Sequence, residues 1–289
     1  MILMIKAGKT NYKMAASNAL SLFASVFGRR SAVVIGMIHV DALPGTPRNC
    51  MSMKEIINRA CDEAKTYKKA GVDAVMVENM NDLPYLNRHV GPEITSAMSV
   101  ICNEVKREVK TMPCGVQILA GANKDALAVA KAAGLEFIRA EGFIFSHVAD
   151  EGLMNSDAGE LLRYRKQIGA DDVLVFTDIK KKHSSHAITK DVDIVEMAHA
   201  AEFFQSNGII ITGTSTGSPA NFKEMVALRD SVPLPILIGS GVTLSNMEQY
   251  LSANGMIIGS HFKEDGHWSK PLDYEKIRTF MAKIERMRN

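Results

Sequence analysis

The sequence of 289 residues is poor in cysteine and lacks any long apolar run. Its four cysteines show no C-x-x-C spacing, so we expect reduced thiols, no disulfide and no zinc site at Cys50, Cys61, Cys102 and Cys114. No stretch reaches the roughly 18 apolar residues that a membrane-spanning helix needs. The sequence therefore predicts neither a disulfide-rich secreted domain nor a transmembrane segment.

An excess of one charge is also absent. Lysine and arginine number 34 and aspartate and glutamate 32, which gives a net charge of +2. This balance supplies no electrostatic reason to bind nucleic acid or an anionic membrane, so a small molecule is the expected partner. The apolar fraction of 46% is that of an ordinary globular protein, and the length suits one barrel of about 250 residues plus a tail.

Acidic residues are missing from the N-terminus, where Asp41 is the first. The first thirty residues are rich in serine and alanine and are basic at Lys6, Lys9, Lys13, Arg29 and Arg30. This composition is typical of a mitochondrial transit peptide, so we expect residues 1–30 to be removed near Arg29-Arg30, leaving a domain over residues 31–289. The helical spacing of apolar residues between Ala16 and Phe27 suits an import helix. A disordered leader or an extra helix capping the bottom of the barrel is the alternative.

From Ser31 onward, short β-branched runs alternate with longer amphipathic segments. Strands are predicted at 32–38, 74–77, 115–119, 137–139, 173–177, 208–212, 235–238 and 256–258. Helices are predicted at 53–70, 93–110, 125–133, 158–168, 192–206, 222–230, 245–251 and 274–288. Eight βα pairs favour an α/β fold of the single (β/α)8 TIM-barrel type. An open doubly wound sheet is the alternative, but its phosphate loop usually follows the first strand.

Two glycine-rich turns follow the last two predicted strands. Because glycine has no Cβ, the N–H groups of such turns can converge on an anion, and TIM barrels commonly bind phosphate at this place. A Thr-Gly-x-x-Thr-Gly loop after the sixth strand is expected to wrap the same ligand. The residues of these three loops predicted to bind a phosphorylated small molecule are Thr212, Gly213, Thr216, Gly217, Gly239, Ser240, Gly241, Thr243, Gly259 and Ser260.

Ionisable side chains stand at the ends of the remaining strands, which a barrel brings to one rim. Ligand binding is predicted for Asn79 and Arg139, and catalytic roles are predicted for His39, Glu78, Asp178, Lys182 and His183. A buried carboxylate needs a partner, so a structural ion pair of Glu78 with Arg139 or Lys182 is an equal alternative. His39 is alternatively a hydrogen-bonded core histidine.

A basic loop follows the fifth predicted strand. Lys180 and Lys181 are expected to be solvated. His183 and His186 have a spacing that suits a metal ion, with Glu78 and Asp178 as oxygen donors, but neither a helix nor an obvious carboxylate pairing supports it. No metal site is therefore predicted.

Seven blocks of sequence occur in a distinctive order. They are Gly36-Met37-Ile38-His39 running into Leu43-Pro44-Gly45-Thr46-Pro47, Val77-Glu78-Asn79, Phe137-Ile138-Arg139, Asp178 with Lys182-His183, Thr212-Gly213-x-x-Thr216-Gly217, Gly239-Ser240-Gly241-Val242-Thr243 and Ile258-Gly259-Ser260. In this order the blocks resemble the BtpA/SgcQ family, from Ser31 almost to the end of the chain. The resemblance implies a TIM barrel of the ribulose-phosphate-binding type, whose bacterial members are named for photosystem I biogenesis or resemble sugar-catabolism proteins. One departure is Ala120-Gly121-Ala122, where we expect bacterial relatives to carry Arg-Asn-Asp.

These features favour an enzyme that binds a phosphorylated sugar or nucleoside-like metabolite. Its chemistry is expected to be acid–base catalysis of the lyase, isomerase or glycosidic hydrolase kind. The sequence assigns no cofactor, is compatible with a homo-oligomer and, through its leader, predicts a mitochondrial location. The family's name raises the alternative of a non-catalytic assembly factor for a membrane complex, but the set of ionisable groups at the barrel mouth favours the enzyme.

Overall fold

The computed structural model describes residues 18–213 and 215–288, which contain a closed barrel of parallel strands. The strands are β1 (Val33–His39), β2 (Ala74–Glu78), β3 (Cys114–Gln117), β4 (Phe137–Ala140), β5 (His147–Ala149), β6 (Gly152–Met154), β7 (Leu174–Asp178), β8 (Ser184–Ser185), β9 (Gly208–Ile211), β10 (Ile236–Ile238) and β11 (Gly255–Ile258). The barrel follows the order β1-β2-β3-β4-β7-β9-β10-β11, and β11 pairs with β1 to close it. The predicted (β/α)8 fold is confirmed, and the open sheet is wrong.

Helices cover the outside of this barrel. The chain enters the described region in a helix, α1, that runs to residue 27. The others are α2 (Met53–Ala70), α3 (Pro92–Val109), α4 (Asn123–Ala133), α5 (Ala158–Gln167), α6 (Ile194–Phe203), α7 (Phe222–Ser231) and α8 (Tyr274–Met287). No helix within the described residues is long and apolar enough to cross a membrane.

The ends of α2 show how local sequence sets the element boundaries. The Ser52 side chain accepts a hydrogen bond from the Glu55 N–H, and the Glu55 carboxylate accepts one from the Ser52 N–H. This reciprocal cap satisfies N–H groups that have no partner inside the helix. At the other end Gly71 takes a left-handed conformation with φ 82°, where a residue without Cβ carries no steric penalty. The predicted range 53–70 is therefore confirmed.

The helix predicted at 245–251 is instead a short 3-10 helix at Met247–Tyr250. The Asn246 side chain explains the difference, because it accepts a hydrogen bond from the Thr243 N–H and donates one to the Gly241 carbonyl. Both bonds hold the start of the segment between β10 and β11 in a tight turn. An α-helix therefore does not begin where the apolar spacing predicted it.

The bottom of the barrel is filled by aromatic rings from two strands and from α1. Phe23 is fully buried and Phe27 is 6% exposed. The Phe23 ring centroid lies 6.0 Å from that of Phe176, and the Phe27 centroid lies 5.4 Å from that of Phe137. Both rings belong to the cluster of side chains that point into the barrel. Residues 18–27 thus form the capping helix that was the alternative to a leader.

The domain boundary expected between residues 30 and 31 falls inside this packed region. Cleavage near Arg29-Arg30 would remove Phe23 and Phe27 from the core and expose the bottom of the barrel. Residues 1–17, which carry the other part of the predicted transit peptide, lie outside the described residues.

A small antiparallel sheet was not predicted. Strands β6, β5 and β8 pair in this order, and the two loops that carry them leave the carboxyl ends of β4 and β7. We call residues 147–154 together with 184–185 the arm. It lies at the same end of the barrel as the predicted site residues.

Candidate functional site

The carboxyl ends of the barrel strands border a cavity of about 160 Å³, which we call the mouth. Acidic, basic and glycine residues contributed by separate strands all face it. The predicted site residues that line the mouth are His39, Glu78, Arg139, Lys182, Thr216, Gly217, Gly239, Ser240, Gly241, Thr243, Gly259 and Ser260. Asn79, Asp178, His183, Thr212 and Gly213 are not among its lining residues.

The two glycine-rich turns follow β10 and β11 and lie side by side at the mouth. Gly241 has φ 71°, and a Cβ there would lie 2.2 Å from the Ser218 carbonyl oxygen, so only glycine fits this turn. Within the described part of the chain, the backbone N–H groups of Gly241 and Ser260 donate to no protein atom. Free N–H groups converging on one cavity form a site for an anion.

Thr212 and Gly213 support this loop pair from the neighbouring strand. The Thr212 hydroxyl accepts a hydrogen bond from the Lys182 N–H at 3.1 Å. The Gly213 N–H donates to the Ser240 hydroxyl at 3.0 Å, and that hydroxyl donates to the Ser218 carbonyl. The structure therefore places both residues behind the mouth, where they connect the loops that line it.

Arg139 and Asp178 form a buried ion pair at the ends of β4 and β7. Nε and Nη2 of Arg139 each donate to a different carboxylate oxygen of Asp178 at 2.7 Å. The two side chains are 3% and 0% exposed. Because Arg139 lines the mouth and Asp178 does not, Asp178 orients the guanidinium toward the cavity.

His39 and Glu78 lie next to each other in the wall of the mouth, at the ends of the neighbouring strands β1 and β2. Nε2 of His39 lies 3.6 Å from a carboxylate oxygen of Glu78, and both side chains are buried. Nδ1 of His39 lies 3.1 Å from the Trp268 carbonyl oxygen, which can only accept, so Nδ1 carries the proton. The Nε2 lone pair is therefore directed to the side of Glu78.

Burial shifts the protonation of both groups toward their neutral forms. Desolvation, assisted by the positive charge of Lys263, lowers the pKa of His39 to about 3, so the ring is neutral near pH 7. Desolvation also raises the pKa of the Glu78 carboxyl, against the opposing effect of Arg139. A carboxyl of raised pKa beside a neutral imidazole can exchange a proton with a bound ligand.

Lys182 supplies a second cation at the mouth. Its burial and the nearby Arg139 guanidinium lower the pKa of its ammonium group, while Glu78 acts in the opposite direction. The side chain forms no ion pair within the described region. Lys182 is thus available to a bound anion or to a proton transfer.

Asn79 performs a structural task. Its amide donates to Asp82 at 2.8 Å and accepts from the Leu119 N–H at 2.8 Å. Asp82 in turn accepts from the Leu43 N–H. Asn79 therefore connects the loops after the first three strands, and all of these contacts are made within the protein.

The prediction that Lys181 is solvated is wrong. This side chain is 8% exposed, and its ammonium lies 3.2 Å from a carboxylate oxygen of Glu141 and 4.0 Å from one of Glu151. Gln117 donates to the other oxygen of Glu141 at 3.0 Å. Glu141 follows β4 directly, and Glu151 belongs to the arm.

The histidines of the basic loop do not meet the predicted oxygen donors. Nε2 of His183 lies 3.0 Å from the Thr216 hydroxyl, and His183 is exposed at the rim. Nε2 of His186 lies 3.0 Å from the Lys181 carbonyl. Among the residues that the structure covers, no three His, Cys, Asp or Glu side chains gather in a metal-binding arrangement.

Comparisons with known proteins place the chain among TIM barrels. Residues 30–286 match the BtpA family. A Caenorhabditis elegans protein described as mitochondrial is 47% identical over 260 residues, which are 89% of this chain and 94% of that protein. The photosystem I biogenesis protein BtpA of Synechocystis sp. is 32% identical over 250 residues, 86% of each chain.

Solved structures of low sequence identity share the fold. Phosphoribosyl anthranilate isomerase from Thermus thermophilus superposes with a TM-score of 0.55 at 12% identity, covering 89% of this chain and 100% of that chain. The OMP decarboxylase of Leishmania donovani gives 0.54 at 15% identity, covering 94% and 98%. At these identities the likeness shows the fold alone.

Proposed function

This chain belongs to the BtpA family, and we propose that its barrel mouth binds a phosphorylated small metabolite and transfers protons to or from it. One observation carries the proposal: Gly241 and Ser260, whose N–H groups have no acceptor among the described residues, line the same cavity as Arg139 and Lys182. Backbone donors and cations together are the usual means of holding a phosphate. The two proteins of similar fold are a phosphoribosyl anthranilate isomerase and an OMP decarboxylase.

The chemistry is proposed to be acid–base catalysis by Glu78 with His39 and Lys182. Burial raises the pKa of Glu78 and lowers that of Lys182, which brings the two groups closer to the pH at which each can gain and lose a proton. Lyase, isomerase and glycosidic hydrolase reactions all use such a pair. The name of the Synechocystis relative supports the alternative of a non-catalytic assembly factor, in which the mouth senses a metabolite or is vestigial.

Ser260→Asp tests the phosphate site. The residue lines the mouth, and a carboxylate there opposes a bound phosphate, since like charges brought together cost several kcal/mol. Titration calorimetry with inorganic phosphate and ribose 5-phosphate is expected to show binding to the wild type and a loss of about 100-fold in the variant. Ser260 is a cleaner choice than Gly241, where any Cβ strains the backbone.

The control is Ser252→Asp, an exposed position before β11 at the other end of the barrel. It adds the same charge and should leave both affinities unchanged. The absence of binding of either probe to the wild type, or equal affinities in wild type and Ser260→Asp, would contradict the proposal.

We infer that the protein resides in mitochondria. The acid-free basic leader supports this, and so does the description of the C. elegans relative as mitochondrial. Because α1 fills the bottom of the barrel, any processing is proposed to occur before residue 18. A homo-oligomer stays a prediction from the sequence.

A further inference from the structure

A second cavity, of about 470 Å³, lies beside the mouth. Helix α2, the segment after β1 and the loop after β11 surround it, and His39 lies in the wall of both cavities. We call it the side cavity. The mouth, at about 160 Å³, is smaller than the roughly 300–1,000 Å³ of ordinary small-molecule sites, whereas the side cavity falls within that range. A ligand larger than a simple sugar phosphate therefore has room only if it extends past His39.

The side cavity presents an aromatic wall. Trp268, the only tryptophan of the chain, lines it together with Pro271 and Leu272. The Trp268 carbonyl accepts the hydrogen bond from His39 that fixes the imidazole. The indole packs edge-on to that imidazole at a centroid distance of 6.3 Å, which places it at the partition between the cavities. The His267 ring stacks on the indole at a centroid distance of 5.7 Å. An indole held in this way offers a surface for a planar group.

The formal charges of the side cavity cancel, because it is lined by three acidic side chains and three basic ones: Asp41, Asp62, Glu63, Arg59, Lys263 and Lys270. Asp41 accepts from Arg59 at 3.4 Å, and Glu63 is paired with the buried Lys263. Lys263 lines the side cavity, and its ion pair with Glu63 neutralises its charge there. The side cavity therefore has no excess of positive charge to bind a second phosphate. Its donors and acceptors suit the hydrogen-bonding edges of a neutral ring.

We propose that the ligand spans both cavities and is a nucleoside monophosphate in chemical class. Its phosphate lies at the Gly241 and Ser260 turns, its sugar passes His39, and its neutral heterocyclic base packs against Trp268 in the side cavity. The proposal rests on the proposed function, since it assumes that the mouth holds phosphate. It adds that the base, rather than the sugar phosphate alone, supplies much of the affinity.

The experiment compares ribose 5-phosphate with the four common ribonucleoside 5′-monophosphates by titration calorimetry. At least one nucleotide is expected to bind the wild type about 5- to 150-fold more tightly than ribose 5-phosphate, the range of base stacking on an aromatic side chain. Trp268→Ala should abolish this preference and leave the affinity for ribose 5-phosphate unchanged. Phe204→Ala, at an exposed aromatic residue after α6, is the matched control and should change neither.

Fluorescence gives a second readout because Trp268 is the only tryptophan. Its emission should change with the preferred nucleotide and not with inorganic phosphate. Where Trp268→Ala does not fold, Trp268→Leu and Trp268→Phe replace it, and the Phe variant should retain part of the preference.

The outcomes separate the two proposals. Equal affinities of the wild type for ribose 5-phosphate and every nucleotide, or a preference that survives Trp268→Ala, would overturn the two-cavity ligand while leaving phosphate binding intact. Failure of all these probes to bind the wild type would instead overturn the proposed function itself.

Discussion

Both oxygens of the Asp178 carboxylate accept hydrogen bonds from Arg139, and neither side chain is appreciably exposed. A carboxylate used in this way holds the guanidinium in place, and the buried Asp178 side chain does not line the mouth. The loss of hydration of two buried charges is offset only while both partners are present. We propose that Asp178 is a positioning residue, in place of the catalytic role predicted from its position at a strand end.

Asp178→Asn is predicted to lower the free energy of unfolding by about 3–5 kcal/mol, because it leaves the buried Arg139 without a counter-charge. Glu160→Gln is the control, since its pair with Lys124 is exposed and such pairs contribute about 1 kcal/mol or less. Urea denaturation of both variants measures the difference. Equal stabilities would show that the buried pair is dispensable and would favour a catalytic Asp178.

His39 should make stability depend on pH. The folded-state pKa of about 3 lies below the ordinary histidine value of 6.5, so between these pH values the unfolded chain binds a proton that the folded chain does not. The contribution of His39 is present above pH 6.5 and is lost as the pH falls toward 3, at up to about 1.4 kcal/mol per pH unit. Lys182, Lys263 and Glu78 face the ring, and the raised pKa of Glu78 acts with the opposite sign.

The measurement is therefore the difference between wild type and His39→Asn. Denaturation at several pH values from 7 to 5 should show that the free energy of unfolding falls less steeply with decreasing pH in the variant than in the wild type. His199→Asn, on an exposed helix face, is the control. Parallel stability curves for wild type and His39→Asn would show that the imidazole is not held neutral by burial.

The alternation of side chains along a strand made the inward-facing site residues predictable. Met37 and Met76 point into the barrel, so His39 and Glu78, two residues further on, point to the same side. Lys181 follows no such period because it lies in a loop, and its burial depends on Glu141 and on the arm. Its surroundings could not be predicted from the run of lysines in which it occurs.

At the scale of elements, α1 is the part of the structure that the sequence left ambiguous. Apolar residues with helical spacing and basic neighbours suit an import helix and a capping helix equally well. The space that α1 fills is created elsewhere, by strands whose small residues leave room for the rings of Phe137 and Phe176. A Cβ at Gly115 would lie 2.2 Å from the Phe137 ring, for example. The packing of α1 against Phe137 and Phe176 therefore cannot be predicted from the N-terminal sequence alone.

Deletion of residues 1–17 is predicted to leave the thermal midpoint unchanged, whereas deletion of residues 1–30 should lower it or prevent folding. Phe23→Ala in the full chain should cost about 3–5 kcal/mol, the usual loss for a buried phenylalanine. Leu22→Ala, at a residue 37% exposed in the same helix, is the control. A chain lacking residues 1–30 that melts like the intact protein would show that the barrel does not need α1.

The arm and the 3-10 helix after β10 were missed for related reasons. Strands of two or three residues contain too few positions to show a period of two. The 3-10 helix has an apolar spacing compatible with an α-helix, but the side-chain hydrogen bonds of Asn246 compete with helical ones. In both places local contacts outweigh the pattern from which the prediction was made.

At the scale of the whole molecule, repetition made the fold predictable. Each βα unit gives a weak signal, but eight consecutive units leave a closed barrel as the simplest parallel arrangement. Closure is seen in the pairing of Val33 with Gly255, which joins the first and last barrel strands. The predicted mitochondrial location rests instead on the N-terminal segment, which lies outside this repeat.

Replacing Lys6, Lys9 and Lys13 by glutamine is predicted to abolish import into mitochondria, because presequences depend on positive charge and these are the lysines before α1. The variant should keep its thermal midpoint, since the α1 side chains that fill the barrel are untouched. Fractionation of cells expressing each form, with N-terminal sequencing of the imported protein, measures both import and the processing site, which should lie before residue 18. Unchanged import of the triple variant, or a mature chain beginning after Phe27, would contradict this assignment. The control replaces three exposed lysines of the barrel, Lys110, Lys166 and Lys223.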